Sequence, residues 1–223
     1  MPETITSSTQ VVLFDHDGTL IDSEQTHLQL WQEVMQAHDV TLTEAFYTQT
    51  MAGIPVNQNA VDLVHYFQLD VPAETLANAK HAKTRAFLSE QAFPLMPYAI
   101  EAVTACIEAG YTVGIVTGGS GLSVTRTLET YDLGKWITTV VAVEDVDNSK
   151  PAPDCYLRAA SHLNVSPDAC VAVEDTQHGM QSALNAGMRC AVIPTPHAAT
   201  HDFSQATSRY QNLQEWVANE LGR

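Results

Sequence analysis

The chain has 223 residues, 45% of them hydrophobic, which is enough for one sizeable core or for a core with a smaller inserted domain. Its 26 acidic residues outnumber the 10 lysines and arginines, and the formal net charge of -16 argues against nucleic acids or anionic membranes as partners. Residues 1–10 lack the basic and apolar segments of a targeting sequence, and no apolar run of about eighteen residues follows. We therefore expect a cytoplasmic protein.

The first predicted element is a buried strand that ends at a polar loop. The run from Val11 to Phe14 is β-branched and aromatic, and it stops abruptly at Asp15. Similar runs recur between segments of helical periodicity, at Thr112 to Val116, Thr138 to Val143, Cys170 to Val173 and Cys190 to Ile193. Strands that alternate with helices predict an α/β fold, with a Rossmann-like parallel sheet covered by helices on both faces.

Prolines and glycines indicate where some of the helices begin and end. Pro97 and Pro153 stand where a first helical turn is predicted to begin, and Gly110 and Gly187 follow the last periodic residues of two helices.

The stretch 23–93 contains no convincing strand, and its apolar residues recur at helical spacing. We predict that it forms a small inserted α-helical cap domain within a core made of residues 1–22 and 94–223. The Asp22-Ser23 pair and Pro94 fit the two junctions, because Asp or Ser caps helices and proline ends them.

Polar clusters follow the predicted strands, and each of them has an ordinary interpretation when it is taken alone. An Asp-Gly pair is common in turns, a Gly-Gly pair suits a tight loop, a loop lysine is usually solvated, and acidic residues cap helices. Together they lie at the carboxyl ends of strands, where open α/β sheets bind ligands. The clusters are Asp15-x-Asp17-Gly18-Thr19, Thr117-Gly118-Gly119-Ser120, Lys150-Pro151-x-Pro153-Asp154 and Glu174-Asp175.

These clusters, with the segment from Phe14 to Glu24 around the first, resemble the motifs of the haloacid dehalogenase (HAD) superfamily. The match is to the branch with a helical cap after the first strand, which includes β-phosphoglucomutase and many small-molecule phosphatases. The resemblance spans nearly the whole chain. It is strong in the motifs of the core, whereas in the cap only the position in the chain and the helical character match. The resemblance implies a Mg²⁺-dependent phosphoric monoester hydrolase acting on a small phosphorylated metabolite, such as a sugar phosphate.

The resemblance also implies the catalytic roles. Asp15 would attack phosphorus and form an aspartyl-phosphate, and Asp17 would act as general acid and then general base. Asp15, the backbone carbonyl of Asp17 and the carboxylate of Asp175 would bind Mg²⁺, with Glu174 as a secondary contact of the metal site. A carboxylate can approach a phosphate dianion only when positive charge lies beside them, and Lys150 would supply part of that charge.

Thr117, Gly118 and Gly119 would bind the phosphoryl oxygens together with Lys150.

Two histidines keep alternative interpretations. His16 lies between the two aspartates, where strand alternation turns it away from Asp15, so it serves either in packing or in catalysis.

The second of these histidines is His27. It occupies the position of a cap-hinge histidine in β-phosphoglucomutase and is either a substrate contact or an ordinary helix-surface histidine.

Four other functions compete with phosphate ester hydrolysis. A dehalogenase needs no second carboxylate such as Asp17, and a phosphosugar mutase would carry a cap arginine where this chain has Gly53-Ile54-Pro55-Val56. A phosphonatase-like enzyme would need an imine-forming cap lysine, for which Lys80 and Lys83 are available. A non-catalytic phosphate-binding module is possible on the same fold. We expect hydrolysis by a monomer.

Overall fold

The computed structural model describes residues 4–222, which form two compact units. One unit contains residues 4–22 and 94–222, and the other contains residues 23–93. Within the described residues, the first unit holds a parallel six-stranded sheet in the order β3-β2-β1-β4-β5-β6. The strands are β1 (Val11–Phe14), β2 (Thr112–Val116), β3 (Ile137–Val141), β4 (Cys170–Glu174), β5 (Arg189–Val192) and β6 (Ser208–Arg209).

Side chains alternate along the strands and divide the core of the first unit into two layers. Val12 and Phe14 face the side of the sheet on which the first group of helices packs, whereas Val11 and Leu13 face the other side. The first layer contains α5 (Ala99–Glu108), α6 (Gly121–Thr130) and α9 (Leu213–Glu220), and the second contains α7 (Asp154–His162) and α8 (Gln177–Asn185). The predicted α/β sheet with helices on both faces is confirmed.

The second unit is helical throughout, and all of its residues are described. Its apolar core is built around Trp31, Met35, Leu63 and Leu76. The helices are α1 (Glu24–Gln36), α2 (Glu44–Thr50), α3 (Val56–Phe67) and α4 (Ala73–Glu90). Among residues 4–222, no helix combines the length and hydrophobicity that a membrane-spanning segment needs.

Several boundaries differ from the sequence-based prediction. Strand β3 lies slightly earlier than predicted, and the two-residue strand β6 was not predicted because its pairing depends on β5. The helix expected to begin at Pro97 begins instead at Ala99, since Tyr98 adopts a left-handed conformation with φ of 65°. Short 3-10 helices occupy Val143–Asp145, Pro167–Ala169 and Pro196–Ala198.

Candidate active site

The polar clusters predicted from the sequence meet at the carboxyl edge of the sheet. The backbone N–H of Asp15 donates to the carbonyl of Val173 at 2.9 Å, which places Asp15 beside the last residue of β4, Glu174. On the other side, Phe14 pairs with Ile115 of β2, which places Thr117, the residue after β2, at the same edge of the sheet. The register of the parallel strands therefore brings the three loops after β1, β2 and β4 together.

Lys150 joins the carboxyl ends of β1, β2 and β4 through its ammonium group. Its Nζ donates to Asp15 Oδ1 at 2.6 Å, to Glu174 Oε1 at 2.7 Å and to the carbonyl of Val116 at 2.8 Å. The three side chains of this ion-pair network are each at most 8% exposed. A lysine with buried carboxylate partners is thus fixed in place, in contrast to the solvated loop lysine of the ordinary interpretation.

Tyr156, on α7, completes the surroundings of this lysine. Its hydroxyl donates to Glu174 Oε1 at 2.7 Å, and Lys150 Nζ lies 5.2 Å from the centre of its ring. Burial, followed by the negative charge of Glu174, raises the pKa of Tyr156, so the phenol stays protonated and acts as a donor. Glu174 therefore has a distinct task, which is to hold Lys150 and Tyr156 next to Asp15.

Two glycines leave room for the carboxylates. A Cβ at Gly18, whose φ is 80°, would lie 2.2 Å from Asp175 Oδ2. A Cβ at Gly179 would lie 1.9 Å from Glu174 Oε2, so α8 can pack against this carboxylate only where residue 179 has no side chain. The helix itself is capped by Thr176, whose hydroxyl accepts from the N–H of Gly179, and not by the acidic pair before it.

Asp15, Glu174 and Asp175 form a group that fits a metal ion. One carboxylate oxygen from each lies within 4.8 Å of the others, and all three residues are buried. Asp175 Oδ1 has no hydrogen-bond partner among the described residues. Oxygen ligands of this kind suit a hard cation such as Mg²⁺, and an unpartnered buried carboxylate oxygen is unfavourable without one.

The charges of the site point to the same need for positive charge. Burial raises the pKa of Asp15 to about 8, although Lys150 lowers it, and burial with the negative charge of Asp15 also raises the pKa of Asp175. Burial opposes the charge of Lys150, but Asp15 and Glu174 outweigh it and raise the lysine pKa. One lysine therefore faces three buried acids, and a divalent cation would keep them ionised.

Asp17 and Thr117 lie on the rim of this cluster. The Thr117 hydroxyl accepts a hydrogen bond from the N–H of Gly119 at 2.9 Å. The same hydroxyl donates to Asp17 Oδ2 at 3.4 Å. A Cβ at Gly119 would come within 2.6 Å of the same oxygen. Gly118 is exposed and precedes α6, which is capped by the hydroxyl of Ser120. The loop thus keeps Asp17 close to the predicted phosphate-binding residues.

His16 faces away from Asp15, as strand alternation predicts. Its ring is completely buried, and Nε2 lies 3.1 Å from the hydroxyl of Thr127 on α6. The other ring nitrogen, Nδ1, has no hydrogen-bond partner among the described residues and lies 3.7 Å from Asp17 Oδ2. The residue therefore packs in the core while one polar edge is directed towards the catalytic loop.

His27 and the two cap lysines lie in the second unit. Lys80 is completely buried, and its Nζ lies 3.1 Å from His27 Nδ1 and donates to the hydroxyl of Thr84 at 3.0 Å. Burial lowers the pKa of Lys80 to about 8, although Glu24 raises it. Lys83, in contrast, is exposed and pairs with Glu33 at 2.6 Å. His27 is therefore part of a polar cluster within the helical unit, not an isolated surface histidine.

Sequence reasoning missed Tyr156, Thr127 and Gly179. Tyr156 lies on a helix whose other buried residues are small and apolar, so its hydroxyl on that face is the signal that the sequence offers. Thr127 lies on a helix that also buries Ser123, so no such contrast marks it. Gly179 is a glycine within the first turn of a helix, where a packing reason is usually needed.

The family described as haloacid dehalogenase-like hydrolase matches residues 12–193. The chain is similar to hexitol phosphatase B of Escherichia coli, with 31% identity over 94% of this chain and 95% of that protein. It is also similar to a fructose-1-phosphate phosphatase of Escherichia coli, with 30% identity over 79% of this chain and 92% of the relative.

Solved structures show the same fold at lower identity. CbbY from Rhodobacter sphaeroides superposes with a TM-score of 0.79 at 24% identity, covering 93% of this chain and 96% of that one. A HAD hydrolase of family IA from Entamoeba histolytica gives 0.77 at 24% identity, covering 96% and 97%. The resemblance predicted from the sequence motifs is confirmed: the chain belongs to the haloacid dehalogenase-like hydrolase family and is a phosphatase-type hydrolase.

Proposed function

We propose that the protein hydrolyses a small phosphate monoester, a phosphorylated sugar or sugar alcohol, through a covalent phosphoryl group on Asp15. The observation that carries this proposal is the buried ion-pair network in which Lys150 bridges Asp15 and Glu174 next to Asp175. The substrate class is supported by the names of the similar proteins, a hexitol phosphatase and a fructose-1-phosphate phosphatase.

A carboxylate oxygen of Asp15 would be the nucleophile that attacks phosphorus. Lys150 would fix this carboxylate and balance the charge of the phosphoryl group. As the bond from Asp15 to phosphorus forms, the bond to the leaving oxygen breaks, and Asp17 gives that oxygen a proton. Asp17 then takes a proton from a water molecule, which attacks phosphorus and releases phosphate and the free Asp15 carboxylate. Thr117 and Gly118 would bind the phosphoryl oxygens through the hydroxyl and the backbone N–H, respectively. Gly119, also predicted from the sequence to bind phosphate, donates its N–H to Thr117 Oγ1 and would instead orient that hydroxyl.

Mg²⁺ would be held by the carboxylates of Asp15 and Asp175 and by the backbone carbonyl of Asp17, with Glu174 as a secondary contact. When bound, it supplies positive charge to the phosphoryl oxygens. The residues fit such an ion because their buried oxygens converge and one of them has no other partner.

A first test is the hydrolysis of p-nitrophenyl phosphate with Mg²⁺ and then with EDTA. We expect turnover to be lost in EDTA and restored by Mg²⁺. Asp15→Asn should reduce activity to background, whereas the matched control Asp132→Asn, at an exposed residue, should leave it unchanged. Turnover that survives Asp15→Asn would exclude the covalent mechanism.

A second test identifies the substrate. A panel of hexitol phosphates, sugar phosphates, phosphoglycolate and nucleotides, compared by kcat/KM, should rank the sugar and sugar-alcohol phosphates first. Acid quenching during turnover should yield a peptide that contains Asp15 and carries one added phosphoryl group. A panel led by nucleotides would contradict the proposed substrate class.

The alternative functions have weaker support. In the mutase alternative, an arginine would follow Gly53 in the cap loop, but the next residue is Ile54. The N–H of Gly53 itself donates to Glu24 Oε1 at 3.3 Å. In the phosphonatase alternative, Lys80 would form an imine, but its amine is buried and bonded to Thr84. Phosphosugar isomerisation and trapping by borohydride should therefore both be negative. A cytoplasmic location and a monomeric state stay predictions.

A further inference from the structure

His16 occupies a position that the catalytic scheme above leaves without a role. Its ring lies between the loop of Asp17 and helix α6 and is completely buried. Nε2 is 3.1 Å from Thr127 Oγ1, and Nδ1 is 3.7 Å from Asp17 Oδ2. An apolar side chain would fill the same space, so the polar ring needs a separate reason.

The unpartnered Nδ1 supplies that reason. A buried ring nitrogen without a hydrogen bond is unfavourable, and native proteins seldom keep one without a functional cause. When the Thr127 hydroxyl donates to Nε2, the neutral ring must carry its proton on Nδ1. The N–H then faces Oδ2 of Asp17 from a distance that a small rotation of the aspartate would shorten to a hydrogen bond. Catalytic hydrogen bonds are often long before substrate binds and tighten afterwards.

We propose that His16 is a positioning residue for Asp17, and this inference rests on the proposed role of Asp17 as general acid. Thr127 sets the tautomer of the ring, and Nδ1–H holds Oδ2. Held at Oδ2 by Nδ1–H, the carboxylic acid of Asp17 would be oriented to give its proton to the leaving oxygen of the substrate.

The role predicts a dependence on the leaving group. A sugar alkoxide is strongly basic and must be protonated as it leaves, whereas p-nitrophenolate leaves without a proton. A residue that only supports folding would affect both reactions equally. Loss of a residue that orients Asp17 should lower kcat/KM for a sugar phosphate and leave kcat/KM for p-nitrophenyl phosphate nearly unchanged, because this constant reports the first phosphoryl transfer.

The experiment compares both substrates in His16→Phe, which keeps a ring without a donor, and in His16→Asn, whose amide nitrogen replaces Nδ1. His16→Phe should lower kcat/KM for the sugar phosphate about 5- to 20-fold, the value of one hydrogen bond, and His16→Asn should recover most of it. Thr127→Val should act like a weaker His16→Phe, and Thr127→Ser should act like the wild type. The Thr127 pair keeps the test valid if a His16 variant does not fold.

A double variant separates this inference from the proposed function. In the Asp17→Asn background, His16→Phe should cause no further loss. Equal losses on both substrates, or a loss that persists without Asp17, would overturn the positioning role while Asp17→Asn alone still shows selectivity for the leaving group. If Asp17→Asn shows no such selectivity, the proposed role of Asp17 fails, and the inference about His16 fails with it.

Discussion

The two units each bury a lysine, and the two lysines have opposite properties. Lys150 in the sheet unit donates to the carboxylates of Asp15 and Glu174, which raise its pKa against the effect of burial. Lys80 in the helical unit donates to the neutral hydroxyl of Thr84, and burial lowers its pKa to about 8. The same side chain is thus a permanent cation in one unit and a base that loses its proton near pH 8 in the other.

The charge of a buried group therefore depends on its partners and not on burial alone. Around Lys150, carboxylates outnumber the cation, so the charge of the lysine is held firmly and further positive charge is attracted. Around Lys80, the carboxylate of Glu24 is engaged by the hydroxyl of Tyr47 at 2.5 Å and by the N–H of Gly53. The comparison leads to four predictions.

The largest effect is expected for Lys150→Met. It leaves Asp15 and Glu174 buried without their cation, so phosphatase activity should fall to background. The free energy of unfolding should decrease by about 3–5 kcal/mol. Urea denaturation and turnover of p-nitrophenyl phosphate measure the two effects. Lys80→Met is the matched control for stability, and it should unfold no more easily than the wild type. Equal destabilisation by the two substitutions would contradict the comparison.

A second prediction concerns pH. Because the pKa of Lys80 is lowered from 10.5 to about 8 in the folded chain, the folded state loses this proton before the unfolded state does. The contribution of Lys80 to the free energy of unfolding should therefore rise as the pH increases from about 8 towards 10.5, by at most roughly 3 kcal/mol. Urea denaturation below and above pH 8, in the wild type and in Lys80→Met, isolates the effect. If the free energy of unfolding rises by the same amount in Lys80→Met, the pH dependence comes from other groups.

A smaller loss is expected for Tyr156→Phe. The substitution removes a hydrogen bond to the charged Glu174 and leaves the ring beside Lys150 in place. We expect the free energy of unfolding to fall by about 1.5–3 kcal/mol. Thermal unfolding gives the value, and an unchanged melting temperature would show that Glu174 does not need this donor.

The smallest effect is expected for Thr84→Val, the corresponding change beside Lys80. It removes a neutral acceptor of the lysine ammonium at 3.0 Å, and the loss should be about 0.5–1.5 kcal/mol. Thermal unfolding of this variant next to Tyr156→Phe makes the comparison direct. A loss larger than that of Tyr156→Phe would contradict the comparison, because the hydroxyl beside Lys80 would then stabilise the fold more than the hydroxyl beside Glu174 does.

Much of the sheet unit could be predicted from the sequence because its signals are local. Strand β2 was predicted with its observed bounds, since a β-branched run stops abruptly at a polar residue. The glycines after α5 and α8, Gly110 and Gly187, adopt the positive φ that ends a helix, as predicted from their positions. The acidic and glycine-rich clusters were recognised for the same reason, because each is complete within a few residues.

The rest could not be predicted, because it depends on contacts that are distant in the sequence. His16 and Thr127 are 111 residues apart, and nothing near either residue indicates the other. Tyr98 shows the same limit for the backbone. A tyrosine in a left-handed conformation has no local signal, so the start of α5 was placed too early at Pro97.

Gly18 and Gly179 carry no chemical group, and yet the carboxylates of Asp175 and Glu174 occupy the space of their missing side chains. In a survey of all single substitutions, these two positions should therefore behave like catalytic residues. Even alanine would displace an acid from the site, although the fold around it could still form. Inactive variants at such positions show where the active site requires the absence of a side chain, whereas inactive variants at Asp15 or Lys150 show which functional groups the reaction uses.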